Sequence, residues 1–182
     1  MNDSAFSSVN SVPIYTIGYG SRTLEEFVSL LKKYEIDCVV DIRSKPYSSF
    51  KVEFSKQALE RGLPRYGIRY CFMGDVLGGK PDDLECYTNG MIDYEKCRAK
   101  ESYRQGIVQV KKLWNGIHRI TLMCAEAKPQ ECHRTKMVGE WLAEENISVM
   151  HIDETGVLKS QQEVIEIIQG VTSQLELFRN SY

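Results

Sequence analysis

The sequence predicts a single-domain α/β protein with a mostly parallel sheet and helices on both faces. Short apolar segments alternate with segments whose apolar residues recur at helical spacing, and this alternation is typical of repeated strand–helix units. The chain has 182 residues, of which 42% are hydrophobic and 26% are charged, and these are ordinary values for one globular domain. Neither an internal repeat nor an interdomain linker is visible, so we expect one domain over residues 13–182.

The first strand and the first helix are predicted at the start of this domain. An apolar strand over 14–17 runs into the turn 18–20, where two glycines supply permissive backbone. Thr23 and Glu26 have the spacing of a capping box, which predicts a helix start. The apolar residues that follow recur at helical intervals and are Leu24, Phe27, Val28 and Leu31.

The next two predicted strands flank a basic segment. Residues 38–42 are nearly all apolar, as expected for a strand in a sheet that is covered on both faces. A short helix near 55–61 and a third strand over 68–72 follow.

Residues 73–93 interrupt the alternation of strands and helices. They have no clear period and are too long for an ordinary connector, and such loops are usually functional or disordered. We predict that this segment is a lid over the site. The polar, Ser-rich residues 1–12 are expected to form a flexible segment before the domain.

Regular alternation returns in the second half of the chain. A helix from Tyr103 to Ile117 is predicted by an apolar stripe at helical spacing. The later predicted elements are a strand over 119–123, a helix over 137–142, a strand over 147–152 and a helix over 164–175.

Composition excludes several classes of protein. No apolar run approaches the roughly 20 residues that span a bilayer, so no membrane partner is expected. The formal charge of -2 and the pI near 6.0 give no overall attraction to nucleic acid or anionic lipid. The amino terminus does not resemble a secretory signal, so we expect a cytoplasmic protein whose six cysteines are thiols, metal ligands or nucleophiles.

The densest group of reactive side chains lies between the predicted fourth strand and the next helix. It contains Cys124, Glu126, Cys132, His133 and Arg134. Ligands of open parallel sheets bind at the carboxyl ends of the strands, and a helix N-terminus attracts anions and lowers the pKa of a nearby thiol. We therefore predict Cys124 or Cys132 as the nucleophile, Glu126 or His133 as the proton carrier, and Arg134 as an anion clamp.

Two other interpretations of this group stay open. A cysteine at a strand end is often a small buried hydrophobe. A zinc or iron ion is also conceivable, with Cys124, Cys132 and His133 as three ligands and Glu126 or water as the fourth. Adjacent Cys132 and His133 do not match the common zinc spacings, and the chain has no C-x-x-C pair. We therefore rank a metal below an anion or thiol site and assign no metal ligand.

A second group directly follows the second predicted strand. Asp41 at the strand end is a candidate base, a partner for a ribose hydroxyl, or a group that holds Arg43 in position. Arg43, Pro46 and Ser48 are candidate substrate-binding residues in the connection that follows.

Two glycine-containing turns complete the predicted site. Gly18 and Tyr19 lie in the turn after the first predicted strand, and Gly78 and Gly79 lie in the predicted lid. Neither turn fits the GxGxxG or GxxxxGK[ST] frames of dinucleotide and phosphate loops. We expect tight turns that bring backbone N–H groups toward a shared crevice, where these four residues contact the substrate.

Residues 43–69 combine basic and aromatic side chains. Seven basic residues stand against two acidic ones, although the whole chain is slightly acidic. Such mixtures neutralise phosphates and stack bases, so this segment predicts nucleic-acid binding. An equally weighted alternative is a solvated basic face above aromatic residues of the core.

Four motifs together resemble the family catalogued as domain of unknown function 488. In chain order they are Thr16-Ile17-Gly18-Tyr19-Gly20, Val40-Asp41-Ile42-Arg43 with Pro46 and Ser48, Leu77-Gly78-Gly79, and Cys124-Ala125-Glu126 with Cys132-His133-Arg134. The resemblance covers about residues 14–152 and implies a small cytoplasmic α/β protein of bacteria or archaea. It does not identify a substrate. Tyr19-Gly20 stands where a His-Ser pair is commoner in that family, so the resemblance supplies no proton-transferring histidine there.

The leading hypothesis is an enzyme that acts on a phosphorylated or nucleotide-like anionic substrate with a Cys/Arg/Glu site. A cysteine nucleophile would make it a hydrolase or a transferase. The alternatives are a non-catalytic nucleic-acid-binding module that uses residues 43–69, and a metal- or redox-sensing protein that uses Cys124, Cys132 and His133. The sequence identifies no cofactor.

Overall fold

The computed structural model of the protein describes residues 12–117 and 119–179. The predicted flexible segment, residues 1–12, lies outside the described residues except for Val12. Among the described residues, no helix is both long enough and apolar enough to cross a bilayer.

Six strands form the main sheet, and the first five in sheet order are parallel. Their bounds are Ile14–Gly18 (β1), Cys38–Asp41 (β2), Arg69–Phe72 (β3), Ile120–Cys124 (β6), Val149–Ile152 (β7) and Leu158–Ser160 (β8). The order across the sheet is β3-β2-β6-β1-β7-β8, and only β8 is antiparallel to its neighbour. The predicted mostly parallel sheet is confirmed.

Seven α-helices occur in the described residues. Their bounds are Leu24–Lys33 (α1), Lys56–Gly62 (α2), Gly74–Leu77 (α3), Tyr94–Ala99 (α4), Glu101–Ile117 (α5), Glu140–Glu144 (α6) and Gln161–Arg179 (α7). The predicted capping box starts α1, because the Thr23 hydroxyl accepts the Glu26 N–H and the Glu26 carboxylate accepts the Thr23 N–H. A cap of this kind contributes about 1 kcal/mol to helix stability.

Two hydrophobic cores lie on opposite faces of the sheet. Phe27 of α1 packs with Met123 of β6 in one core, and Val110 of α5 packs with Leu122 of β6 in the other. Because successive side chains of a strand point to opposite faces, the neighbours Leu122 and Met123 belong to different cores. This explains why the central strands are almost entirely apolar, and it confirms helices on both faces.

The connections that follow β1 and β6 diverge to opposite faces of the sheet. After β1 the chain enters α1 on the face of the first core, and after β6 it passes to α6 on the other face. Adjacent strands with diverging connections leave a crevice at their carboxyl ends. Gly18 and Cys124, the last residues of β1 and β6, are register partners at this edge.

Residues 73–93 hold more regular structure than their irregular pattern suggests. Besides α3 they contain a 3-10 turn at Leu84–Cys86 and a hairpin of Tyr87–Thr88 (β4) and Met91–Ile92 (β5). The hairpin turn is Asn89-Gly90, with φ values of 52° and 76°. Asn-Gly is a strong hairpin signal that a search for periodicity overlooks. The role of the segment as a lid stays a prediction.

The helix that follows β6 begins in an unexpected conformation. Arg134–Gly139 is a π-helix that continues into α6, whereas the sequence predicts one ordinary helix near 137–142. Single π turns inside helices are frequent at functional sites. The sequence analysis also misses α4 and β8, because six and three residues are too few to establish a period.

Candidate metal centre

Four side chains that can ligate a metal meet just beyond the end of β6. The ligand atoms of Cys124, Glu126, Cys132 and His133 all lie within 4.8 Å of one another. Glu126 Oε2 is 2.8 Å from Cys124 Sγ and 3.2 Å from Cys132 Sγ. His133 Nδ1 is 3.5 Å and 3.7 Å from the same two sulfurs. We call these four residues the thiol–carboxylate cluster.

The connection from β6 to the π-helix folds back on itself to bring the two cysteines together. A 3-10 turn at Pro129–Glu131 begins with a proline, whose fixed φ suits the first position of such a turn. The Cys132 N–H then donates to the Pro129 carbonyl over 3.1 Å, and the Arg134 N–H points to Cys132 Sγ at 3.4 Å. Cys124 and Cys132 are therefore close in space although seven residues separate them.

The ring of His133 is fixed from outside the cluster. Its Nε2 lies 3.1 Å from the Ile42 carbonyl oxygen, which can only accept, so Nε2 carries a proton and Nδ1 is the nitrogen that faces the sulfurs. Gly79 packs on the same ring, because a Cβ at that position would lie 2.5 Å from His133 Cγ. A histidine that donates its second nitrogen to a carbonyl is typical of metal ligands.

Burial differs sharply among the four residues. Cys124 is 3% exposed, Cys132 1% and His133 7%, whereas Glu126 is exposed. The hydrogen bond with Cys132, together with burial, raises the pKa of Cys124 well above its usual value. The expectation that the helix start lowers the pKa of a reactive thiol is therefore wrong for Cys124. Burial opposes ionisation of Glu126, but hydrogen bonds from the two thiols outweigh it and lower the pKa of Glu126.

Arg134 lies entirely inside the protein rather than on the wall of an open crevice. Its Nη2 donates to the Ala127 carbonyl over 2.8 Å, and its Nη1 lies 3.4 Å from Thr16 Oγ1. Within the described part of the chain its Nε has no hydrogen-bond partner. Burial lowers the pKa of Arg134. These contacts make it a brace for the loop that carries Glu126, and its predicted role as an anion clamp stays a prediction.

A chain of buried hydrogen bonds continues from Arg134 through residues that the sequence analysis misses. Thr16 Oγ1 is 2.7 Å from His151 Nδ1, and His151 Nε2 is 2.7 Å from Gln161 Oε1. Gln161 Nε2 donates to the Thr135 carbonyl over 3.2 Å. Because the Gln161 amide nitrogen donates to Thr135, the Gln161 Oε1 atom is the acceptor that faces His151. Nε2 of His151 therefore carries the proton. A polar residue in the middle of an apolar strand, as at Thr16 and His151, is the signal that would have revealed this chain.

Asp41 and Arg43 form a buried two-pronged ion pair. Arg43 Nε is 2.8 Å from Oδ1 and Nη2 is 2.5 Å from Oδ2, and the Arg43 N–H also donates to Oδ1. Tyr70 donates its hydroxyl to Oδ2 over 2.7 Å. Of the three roles that the sequence leaves open for Asp41, its geometry fits the holding of Arg43. Although burial opposes it, this pairing raises the pKa of Arg43.

The remaining predicted residues lie around these two groups. Arg43 Cζ sits 5.3 Å from the centre of the Tyr19 ring. Gly18 packs against the Glu126 backbone, where a Cβ would overlap the carbonyl, and a Cβ at Gly78 would overlap the Ser44 hydroxyl and the Gly74 carbonyl. These glycines thus allow segments of the protein to approach one another closely.

Pro46 and Ser48 shape the connection between β2 and α2. The Pro46 carbonyl accepts the Lys56 N–H over 2.8 Å, and Ser48 Oγ accepts the Lys51 N–H over 3.0 Å. Both therefore fix a loop, and their predicted contact with a substrate stays a prediction.

Tyr94 approaches the cluster from α4 and is a further residue that the sequence analysis misses. Burial raises the pKa of Tyr94 to about 12, and the nearby groups of Cys132 and Glu126 add to the effect. The sequence carries no signal for this neighbour, because it lies in a helix too short to be predicted.

The fold and the site together define an α/β protein with a Cys₂-His-Glu cluster in the crevice of a mostly parallel sheet. Over residues 23–155 the chain matches the family described as Domain of unknown function DUF488, and it belongs to that family. The matched region contains the whole thiol–carboxylate cluster, and the resemblance to this family is confirmed, although the motif at residues 16–20 lies before the matched region. No curated protein and no solved structure matches the chain.

Proposed function

We propose that this protein is a metal-dependent enzyme that acts on an anionic, phosphorylated or nucleotide-like substrate. Cys124, Cys132 and His133 bind a divalent ion of the zinc type, and Glu126 lies beside the fourth position, which water can occupy. The observation that carries the proposal is the convergence of four ligand atoms within 4.8 Å at the carboxyl edge of the sheet.

The distances in the cluster fit a tetrahedral ion. With Zn–S near 2.3 Å and Zn–N near 2.0 Å, a sulfur and a nitrogen on one zinc are about 3.5 Å apart. The two separations between sulfur and His133 Nδ1 are 3.5 Å and 3.7 Å. The shorter separations between sulfur and Glu126 Oε2, 2.8 Å and 3.2 Å, suit thiols that donate to a carboxylate. These thiol protons leave when an ion binds.

Burial favours a metal over an unassisted cysteine nucleophile. Both sulfurs are almost fully buried, so neither is accessible to a substrate, whereas a metal-bound thiolate needs no such access. The sequence ranks a metal lower because Cys132 and His133 are adjacent. That argument loses force here, since the 3-10 turn and the fixed ring of His133 let neighbouring residues face the same point.

The charge of Arg134 is compatible with an ion in the cluster. Its guanidinium is fully buried and its hydrogen bonds go to neutral oxygens, so an added positive charge nearby would be costly. A divalent ion that replaces two thiol protons leaves the total charge of the cluster unchanged. Two thiolates therefore offset the ion without disturbing Arg134.

The exposure of Glu126 favours catalysis over a purely structural role. Catalytic zinc sites keep three protein ligands and one exchangeable position, and Glu126 is the only exposed member of the cluster. An ion here would polarise a phosphoryl oxygen and supply hydroxide at neutral pH. In hydrolysis the water oxygen would bond to the phosphorus as the bond from phosphorus to the leaving oxygen breaks, and Glu126 would take the water proton and pass it to that oxygen.

Metal analysis of the purified chain tests the proposal. We expect about one ion per chain by elemental mass spectrometry after growth with added zinc, and its loss in Cys132→Ser. Cys71→Ser is the matched control, because Cys71 lies outside the cluster, and it should keep the ion. A wild-type chain that takes up no zinc, or a Cys132→Ser chain that keeps it, overturns the proposal.

Glu126→Gln separates a catalytic site from a structural one. An amide can occupy the same space but is a poor base, so we expect the ion to remain while hydrolysis of phosphate esters falls about 100-fold or more. Esters of several classes, including nucleotides, serve as substrates in this assay. An unchanged rate in Glu126→Gln would contradict the catalytic role of this residue.

A further inference from the structure

The loop between β2 and α2 carries bulky apolar side chains in full contact with solvent. Phe50 is 97% exposed, Tyr47 75% and Val52 61%. Single exposed apolar residues are common, but neighbouring ones on one loop mark binding surfaces. We call residues 44–54 the aromatic loop.

Both ends of the aromatic loop are attached to residues around the thiol–carboxylate cluster. At one end Ser44 Oγ accepts the Lys80 N–H over 2.8 Å, one residue beyond the Gly79 that packs on His133. At the other end Phe54 is buried and stacks on Tyr19, with ring centres 4.4 Å apart. The exposed aromatic residues thus lie on a short loop at the rim of the crevice.

Hydrogen bonds fix the shape of the loop. Its aromatic side chains are therefore held in their exposed positions by the fold. Ser48 Oγ accepts the Lys51 N–H, and the Pro46 carbonyl accepts the Lys56 N–H. The Lys51 ammonium donates to the Arg22 carbonyl over 2.5 Å. A surface that is ordered before binding loses less entropy when a ligand arrives.

The charge of the loop selects a polyanion. Lys45 and Lys51 lie in the loop with a single acidic residue, Glu53, and Lys56 begins the helix just after the loop. Aromatic faces that stack on bases, interleaved with cations that contact phosphates, form the usual surface for single-stranded nucleic acid. Duplex bases are already stacked on one another, so exposed phenyl and phenol rings favour single strands.

We propose that the aromatic loop binds single-stranded nucleic acid, with Tyr47 and Phe50 stacked on bases and Lys45 near a phosphate. The loop would then hold a strand beside the proposed metal centre. This inference rests on the proposed function in one respect, since it names the substrate class of the same site. The binding itself requires no metal and can be measured separately.

Fluorescence anisotropy with labelled oligonucleotides of about 12 residues tests the proposal. We expect single-stranded DNA or RNA to bind more tightly than a duplex of equal length, with affinity that falls as salt rises. Phe50→Ala and Tyr47→Ala should each weaken binding about tenfold, since each removes one stacking platform. Lys45→Ala should reduce the slope of log affinity against log salt by about 0.7.

Matched controls come from exposed residues far along the chain from the loop. Val108→Ala and Val157→Ala remove apolar side chains that are 47% and 54% exposed and lie outside the predicted lid, and Lys112→Ala removes an exposed cation. All three should leave binding within about twofold. Because Phe50 is almost fully exposed, Phe50→Ala should also leave the melting temperature unchanged.

The two proposals fail in distinguishable ways. Phe50→Ala should keep its zinc, and Cys132→Ser should keep its affinity for oligonucleotides if the loop acts as proposed. A wild-type chain that binds no single strand at low salt, or that binds duplex equally well, overturns this inference. A third outcome would also overturn this inference: the wild-type chain binds phosphatidylserine vesicles but no oligonucleotide, and Phe50→Ala loses the vesicle binding. That result would assign the loop to a membrane surface.

Discussion

The imidazole of His133 donates to the main-chain carbonyl of Ile42 across 3.1 Å. Ile42 directly follows β2, whereas His133 belongs to the connection after β6, so this bond joins the carboxyl ends of two neighbouring strands. It also fixes which nitrogen of the ring faces the sulfurs of Cys124 and Cys132. The ring is therefore oriented by the fold itself, in the manner of metal-binding histidines.

The first prediction concerns the packing of Gly79 on this ring. A Cβ in Gly79→Ala would lie 2.5 Å from His133 Cγ, so the ring must tilt and its bond to Ile42 must lengthen. We expect zinc affinity to fall about 10- to 100-fold, as for other changes that disturb ligand orientation. Competition with a chromophoric chelator measures this affinity.

Gly116→Ala is the control for that substitution. Gly116 lies in α5, and a Cβ there meets nothing within 4 Å. Replacing a helical glycine by alanine stabilises a protein by up to about 1 kcal/mol, so zinc affinity should be unchanged. Equal affinities in Gly79→Ala and Gly116→Ala would contradict the proposed role of the ring's orientation.

The second prediction concerns the buried pair of Asp41 and Arg43. In Asp41→Asn the guanidinium of Arg43 stays buried without its countercharge, and removing one partner of a buried pair costs about 3–5 kcal/mol. Urea unfolding should report this loss in the free energy of unfolding. Glu145→Gln breaks a more exposed ion pair with Lys111 and should cost less than about 1 kcal/mol. Similar costs for the two variants would refute the structural role of Asp41.

The third prediction is a pH dependence that arises from His151. Burial, aided by the charge of Arg134, lowers the pKa of His151 from 6.5 to about 4. Between these values the unfolded chain binds a proton that the folded chain does not, so stability decreases as pH falls from 6.5 toward 4. The free energy of unfolding should drop by about 2 kcal/mol between pH 7 and pH 5 from this residue alone.

Comparison with His151→Gln isolates that contribution. Urea unfolding of both proteins at several pH values gives two slopes, and other titrating groups such as His133 contribute to both. The wild-type free energy should decline more steeply below pH 6.5 than that of the variant. Parallel slopes would mean that His151 titrates normally, contrary to its burial between Thr16 and Gln161.

The fourth prediction ranks the cysteines by reactivity. Cys71 is half-buried, whereas the other five cysteines are buried. A hydrogen bond with Cys38, whose sulfur is 3.9 Å away, lowers the pKa of Cys71 to about 6 although burial opposes it. Brief labelling with iodoacetamide near neutral pH, followed by peptide mass spectrometry, should therefore modify Cys71 first.

Cys38→Ala provides the check on that cause. Without the neighbouring thiol, the pKa of Cys71 should return toward its ordinary value of 9.0, and labelling should slow several-fold. Earlier labelling of Cys124 or Cys132 than of Cys71 would contradict the burial of the thiol–carboxylate cluster.

Local sequence patterns predict much of the fold. The capping box of Thr23 and Glu26 and the apolar run of β2 each report a structure formed by neighbouring residues. Elements that depend on distant partners are missed. The strand β8 has three residues and exists because it pairs with β7. The Asn89-Gly90 turn was predictable from turn chemistry, but a search for periodicity does not find it.

The sequence by itself determined which reactive residues share one edge of the sheet, because each of them ends a strand or lies in the connection that follows one. It did not determine where their side chains point. The Arg134 side chain points into the interior, and the Asp41 carboxylate is paired with Arg43. The Glu126 carboxylate accepts hydrogen bonds from two thiols. Only the tertiary structure decides such matters, since each depends on a partner from another strand or turn and on the free energy of burying a charge.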